Sequence, residues 1–439
     1  MDKDIPTSSY VDFDKDRCIA CVHCVRSCPT KSIRIKGGKS VHLVDHCIGC
    51  GECIRVCPTG AVSAVTSKLA SPEKEEISVA LVSPVLFAQF PGIMPAEVLQ
   101  GLKQMGFQHV VDMSYFLELF LCAAEEYIIR NRTTRKSPWP LISPVCPVVV
   151  RLIAFKFPSL LPNILPIIRP LALMVREVKQ LIARQYGVKE KSVAQYYINP
   201  CPTMLAPSRT SIKQKRLYVG RALGINDVYA ELNRQIEKIK SSDAPHFQKD
   251  LFDHGTTGSS LIWCLSGGEI ANMNIEHALA VSGLKETITY LEKIEMGLFK
   301  NIEYIEFRTC PEGCLGGTLT AIDKYLAKSV VQKMIIKCGI KKRVSRKDML
   351  QSYEEGWFLP ETSTLRLERL FGEEKEPLSI DSLHKIEKIL AMIKGKDCSA
   401  CGAPDCKTFA EDVVRGKASL NDCLVIRARG KRVTPETSD

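Results

Sequence analysis

The chain has 439 residues, 45% hydrophobic and 25% charged, which gives room for two to four domains and a sizeable core. A formal net charge of +11 would suit nucleic acid or an anionic surface. Against a secreted disulfide scaffold, the 19 cysteines lack a charged-then-apolar leader at Met1, so a reducing, cytoplasmic and anaerobic setting is expected.

In chain order, the first signal is a doubled C-x2-C-x2-C-x3-C-P run. Cys18, Cys21, Cys24 and Cys28 precede Pro29, and Cys47, Cys50, Cys53 and Cys57 precede Pro58. In such a pair the fourth cysteine of each run serves the other cluster. Cys57 is therefore expected with Cys18, Cys21 and Cys24, and Cys28 with Cys47, Cys50 and Cys53, each set around a 4Fe-4S cluster. Zinc also accepts four cysteines, but zinc sites pair two CxxC units across a longer gap. Residues 10 to 66 resemble a bacterial two-cluster ferredoxin. Within them, His42 and His46 sit in a short β-like run where a spacing of four does not define one helical face, and no histidine is read as a ligand.

From Ile77 onward short β-rich runs alternate with helical stretches. Strands are expected at Ile77 to Val82, His109 to Val111, Tyr197 to Asn199, Leu261 to Leu265 and Tyr304 to Phe307. Pro95 opens a helix that Gly106 follows, and further helices are expected around Tyr115 to Asn131, Leu171 to Tyr186 and Thr318 to Lys333. This alternation predicts α/β lobes with sites at the carboxyl ends of strands. The apolar run from Leu141 to Val175 is interrupted by Arg151, Lys156 and Arg169. Its longest charge-free piece, Phe157 to Ile168, is too short for a membrane span of about 20 residues, and a buried core loop is expected.

Cys146 follows Leu141 to Ser143, Cys201 follows the Tyr197 strand, and Cys310 with Cys314 follows the Tyr304 strand. Four cysteines from three strand ends could thus converge on one cubane, with Gly313, Gly316 and Gly317 allowing close approach of the backbone to the cluster. Taken singly, each could equally be a buried apolar residue. Ser143-Pro-Val-Cys146-Pro147, Asn199-Pro-Cys201 and Thr309-Cys310-Pro-Glu-Gly-Cys314-Leu-Gly-Gly317 resemble, in order, the three cysteine signatures of the FeFe-hydrogenase catalytic domain. Phe157-Pro-Ser-Leu-Leu-Pro-Asn163, Ser266-Gly-Gly268 and Val111-Asp-Met-Ser114 are similar to its supporting motifs. The resemblance covers roughly residues 78 to 335. It implies that Cys146, Cys201, Cys310 and Cys314 hold the cubane of an H-cluster, with Cys314 bridging to a two-iron unit.

The departures from that pattern bear on activity. A proton-relaying cysteine would precede the first ligand, where this chain has Val145. A lysine would lie three residues after the second, where it has Met204. Leu165, Pro166 and Ile168 replace polar residues, and Glu125 and Glu126 are candidates for the glutamate relay. Because H2 cleavage must pass a proton from metal to solvent through positioned acids, the two-iron unit is doubtful and efficient turnover is not expected.

Cys398, Cys401, Cys406 and Cys423 close the chain, with a helix from Lys407 to Gly416 between the last two. They resemble the small four-cysteine Fe-S domain of Rnf-type electron-transport subunits and corrinoid iron-sulfur proteins, which also ends sensory-type relatives of the FeFe-hydrogenases. Zinc or a redox disulfide is the alternative here. Cys122, Cys264 and Cys338 are left over in apolar surroundings as core residues. Four cubanes of about −2 each would bring the net charge to roughly +3. The basic stretch of Lys341, Lys342, Arg343, Arg346 and Lys347 then reads as solvated loop or partner-docking surface.

The expected class is α/β, α+β overall. It comprises a ferredoxin-like domain (1–66), a linker (67–76), a two-lobed hydrogenase-like core (77–355), a connector (356–389) and a small helical four-cysteine domain (390–439). Three readings compete. The first is a multi-cluster electron-transfer or redox-sensing protein with a degenerate H-cluster site. The second is an oxidoreductase or H2 sensor that retains the two-iron unit and uses a ferredoxin-type acceptor. The third is a cluster-assembly scaffold. Val145 and Met204 favour the first over the second, and the eight-cysteine module disfavours the third. With no Gly-rich nucleotide fingerprint after a strand, flavin or nicotinamide chemistry would come from a redox protein partner. Neither nucleic acid nor a membrane segment is expected.

Overall fold

The structure, a computed structural model, describes residues 9–67, 76–204, 221–241, 255–360, 379–393 and 395–428. The chain divides into two compact units, one formed by Ser9–Ala64 with Phe371–Asp439 and the other by Val65–Leu370. The two terminal cysteine modules therefore share a unit.

In that unit, β1 (Val11–Phe13), β2 (Ile33–Lys36), β3 (Lys39–His42) and β4 (Val62–Ala64) form two antiparallel pairs, β1 with β4 and β2 with β3. Gly37 and Gly38 connect β2 to β3 with φ of 55° and 74°, the left-handed conformation that a two-residue hairpin turn requires at both positions. Short helices at His23–Ser27 and Glu52–Arg55 occupy equivalent places in the two cysteine runs. At the other end of the chain, helices Ile380–Ile393, Cys406–Val414 and Leu424–Arg427 surround a small core containing Ile386, Ile389, Ile393, Phe409 and Ile426.

The larger unit holds β5 (Ile77–Val82), β6 (His109–Asp112), β7 (Leu141–Ile142), β8 (Val193–Asn199), β9 (Arg221–Gly224), β10 (Ala278–Ser282) and β11 (Tyr304–Arg308). They form two parallel sheets, ordered β6-β5-β8-β9 and β10-β11-β7. Every residue of β5 and β8 is buried, as expected for parallel strands covered on both faces. Alternation along β5 splits the core. Val79 and Leu81 pack with helices Ser114–Thr134 and Pro170–Tyr186, whereas Ala80 and Val82 pack with Pro95–Gln104, Ile225–Ser241 and Lys324–Cys338. Among the described residues, no helix is long and apolar enough to cross a membrane.

Several local expectations need correction. Leu261 to Leu265 is not a strand: a helix spans Gly258–Ile262, started by the Thr257 hydroxyl, which accepts from the Ser260 amide. A short apolar run does not distinguish a strand from a buried helical turn. The run from Leu141 to Val175 is buried as expected, yet it is largely helical: Pro147 opens helix Pro147–Lys156, Pro158 a 3-10 segment ending at Asn163, and Pro170 the next helix. Proline at a first helical position gives up an amide that had no partner anyway. The helix expected from Thr318 begins at Lys324, where Asp323 accepts from the amides of Tyr325 and Leu326. The basic stretch is only partly solvated. Glu118 on helix Ser114–Thr134 accepts from the Arg343 amide at 2.7 Å, and Glu126 binds the Arg346 guanidinium, while Lys341, Lys342 and Lys347 are exposed.

Candidate metal centres

Cys28, Cys47, Cys50 and Cys53 line one cavity of about 20 Å3. The fourth cysteine of the first run thus stands among the first three of the second. Burial, then the neighbouring Cys28, Cys53 and Cys47 thiols, push the Cys50 thiol well above its ordinary value, and Cys53 likewise. Burial together with Cys21 and Cys18 raises Cys24 to about 11. The two repeats end alike. Cys28 Sγ accepts from the Ser32 amide at 3.2 Å beside the Thr30 hydroxyl, and Cys57 Sγ from the Ala61 amide at 3.2 Å beside Thr59. His42 lines the same cavity, with its ring Nδ1 3.5 Å from the Ser9 hydroxyl and its ring packed on Phe13.

The larger unit places Cys146, Cys201, Cys310 and Cys314 on the wall of one cavity of about 80 Å3. Cys146 follows β7 and precedes Pro147 at the start of its helix, Cys201 follows β8, and Cys310 follows β11, so three carboxyl strand ends from two sheets meet there. Burial and then the Cys146 thiol raise Cys201 to about 12, and burial raises Cys314 despite the Arg308 guanidinium. Gly313 and Gly317 line the cavity, and they also let chain segments approach each other. A Cβ on Gly313, where φ is 73°, would meet the Cys264 carbonyl oxygen at 2.7 Å, and one on Gly317 would meet the Pro200 carbonyl oxygen at 2.5 Å.

Val145 lines this cavity with Met113, Leu171 and Trp263, and its amide donates to the Ser143 hydroxyl. Leu165 and Ile168 are buried in the core rather than in the cavity wall. Met204 ends the 3-10 turn Pro202–Met204, and its side chain lies outside the described residues. Neither candidate relay glutamate reaches the cavity: Glu125 accepts from the Asn274 amide, and Glu126 pairs with Arg130 and Arg346. Cys264 is buried, and its carbonyl accepts from the Cys314 amide. Cys122 and Cys338 pack against the two core clusters.

A buried charged network beside Cys314 was not anticipated. Arg308, 2% exposed, places Nη1 3.5 Å from Cys314 Sγ and Nη2 2.6 Å from Glu269, and its Nε donates to Glu306 at 3.1 Å. The guanidinium also lies over the Trp263 ring, 4.9 Å from its centroid. Glu269 accepts from the hydroxyls of Ser143 and Tyr304, and burial lifts its carboxyl to about 7. The signal was present in the sequence, because Glu306 and Arg308 are two apart in a strand and so share a face.

Cys398, Cys401, Cys406 and Cys423 line a third cavity, of about 10 Å3. The helix between the last two runs over Cys406–Val414, capped by Asp405, which accepts from the Thr408 amide at 2.8 Å. Burial and the thiols of Cys423 and Cys398 raise Cys401. Among the described residues, no three Cys, His, Asp or Glu side chains close around a single-ion position. The sets surround spaces instead. Four thiols gathered around one space fit a group whose positive core displaces their protons.

Comparison with known proteins agrees with this division. Residues 76–274 match the family described as the iron only hydrogenase large subunit, C-terminal domain. Residues 10–58 match a 4Fe-4S dicluster domain, and residues 395–425 a family described as an Fe-S cluster. The hydrogenase match stops short of Cys310 and Cys314. In fold, the chain is similar to an apo form of the FeFe-hydrogenase HydA1 from Chlamydomonas reinhardtii, with a TM-score of 0.50 and 16% identity over 68% of this chain and 95% of that one. Another variant of the same enzyme gives a TM-score of 0.50 and 15% identity over 68% and 94%. No curated protein matches the chain.

Proposed function

We propose that this chain, a hydrogenase-like iron-sulfur protein with a ferredoxin-type module, serves electron transfer or redox sensing, and that its core site holds a cubane without supporting efficient H2 turnover. The observation that carries the reading is the core cavity, where four cysteines share a wall with Val145, Met113, Leu171 and Trp263. Among the described lining residues there is no carboxylate, lysine or histidine, the only cysteines are the four candidate ligands, and the one phenol, Tyr197, is buried and held protonated by that burial. A relay needs a titratable group within hydrogen-bond reach of the reacting atom. The candidate ligands are Cys18, Cys21, Cys24 and Cys57; Cys28, Cys47, Cys50 and Cys53; Cys146, Cys201, Cys310 and Cys314; and Cys398, Cys401, Cys406 and Cys423. Bound clusters would supply one-electron chemistry; the protein supplies thiolates, burial and hydrogen bonds that set potential.

One observation favours the second reading, in which a two-iron unit is retained. The core cavity, about 80 Å3, is at least four times the size of the 20 and 10 Å3 spaces at the other two sets. Infrared spectroscopy of protein co-produced with hydrogenase maturation enzymes separates the two. The present reading expects no carbonyl or cyanide bands. Strong bands in that region would establish the two-iron unit and transfer the assignment to a slow hydrogenase or H2 sensor.

A further inference from the structure

The two terminal cysteine modules are held together by contacts that neither run shows by itself. The Ile35 amide on β2 donates to the Gly402 carbonyl at 2.9 Å. Arg34 pairs with Asp412 at 2.5 Å with both side chains largely buried, Lys31 pairs with Asp405 at 2.7 Å, and Lys36 donates to the Lys417 carbonyl at 3.0 Å. Gly402 has φ of 84°, and a Cβ there would lie 2.2 Å from the Ile35 carbonyl oxygen, so the two backbones are in direct contact. The closest link runs through Arg26. Two residues after Cys24, its Nη2 donates at 2.7 Å to the carbonyl of Cys398 itself, and its Nε faces the Ser399 hydroxyl. Ala20 and Val22, on either side of Cys21, line one groove with Ala400, Cys401 and Gly402.

We propose that the C-terminal four-cysteine site exchanges electrons directly with the first ferredoxin site, that of Cys18, Cys21 and Cys24, and is an inner relay fixed on the ferredoxin rather than a free arm. One arginine side chain separates a ligand-bearing turn of each set. That arginine also answers an electrostatic difficulty, because two anionic clusters side by side repel, and the cations Arg26, Lys31 and Arg34 lie in the seam between them. The buried Arg34 and Asp412 pair is screened little by salt. It holds the docking under conditions that loosen exposed pairs. The inference rests on the reading that both sets carry clusters, and the experiment keeps the two apart.

The test uses the full chain, purified anaerobically and loaded to about 16 Fe, with electron paramagnetic resonance of the fully reduced protein. The wild type is expected to show magnetic interaction between the C-terminal cluster and the ferredoxin pair, lost when Cys401→Ala removes the former. The combined variant Arg26→Ala, Arg34→Ala and Asp412→Ala removes the Arg26 link to Cys398 and the buried ion pair without leaving a lone buried charge, and adding Lys31→Ala and Lys36→Ala removes the remaining side-chain contacts. It should keep its iron and the ferredoxin pair's own coupling, and lose the interaction with the third cluster. Amide exchange supplies a second reading that needs no cluster variant: the Ile35 amide should be protected in the wild type and exposed in the triple variant. Interaction undiminished in the triple variant, its absence from fully loaded wild type, or a freely exchanging Ile35 amide in wild type would overturn the proposal. Wild-type iron near 12, with the C-terminal cysteines unliganded, would overturn the cluster reading itself.

Discussion

Arg308 shows how one side chain can serve both packing and potential. Its guanidinium compensates Glu269 and Glu306 in the interior and still directs Nη1 at Cys314 Sγ. A cationic donor on a ligating thiolate stabilises the cluster more in its reduced, more negative state, so it raises the reduction potential. Arg308→Met alone would leave two buried carboxylates without their cation, at a cost of about 3–5 kcal/mol. The informative variant therefore pairs Arg308→Met with Glu269→Gln. It should retain its iron while the core cluster's potential falls by on the order of 60 mV, the one-electron equivalent of about 1.4 kcal/mol. Potentiometric titration followed by electron paramagnetic resonance reads this, and an unchanged potential in fully loaded protein would exclude Arg308 from tuning the site.

At the scale of elements, the core site depends on how tightly the loops after β8 and β11 meet. Gly317 lets the second lie against the Pro200 carbonyl, next to Cys201. Gly317→Ala would drive those loops apart, and the core cysteines with them. The expected result is loss of about four Fe with the ferredoxin signals intact; full iron content would show that the loops can yield. Local spacing groups the ferredoxin and C-terminal cysteines, and Cys28 with Cys47, Cys50 and Cys53 lines one cavity; the core four, spread over residues 146 to 314, are joined only by strand ends and the family resemblance. β5 was legible because a nearly continuous apolar run marks a buried parallel strand, whereas β8, Val193–Asn199, was expected only from Tyr197 because its run is broken by Gln195. Leu261 to Leu265 misled because five apolar or small residues suit either a strand or a turn of helix, and tertiary packing decides. The Arg34 and Asp412 pair spans residues 378 apart in sequence, and no local pattern announces such a contact.

For the whole molecule, 12 of the 19 cysteines line three four-cysteine cavities, Cys18, Cys21, Cys24 and Cys57 are the proposed fourth set, and Cys122, Cys264 and Cys338 are packed in or against the core. The basic excess has two structural uses: part offsets the charge expected of the clusters, and part, at Arg26, Arg34, Arg308, Arg343 and Arg346, forms contacts inside the units. The central claim is that a hydrogenase-like core has kept its cubane cysteines and lost the route for protons. Its most direct test is H2 evolution by the cluster-loaded protein, co-produced with maturation enzymes and supplied with a strong reductant. The account predicts activity absent, or lower than that of typical hydrogenases by at least the factor of about 10²–10⁴ that positioned acid-base catalysis contributes. Vigorous H2 evolution by the wild-type chain would contradict it.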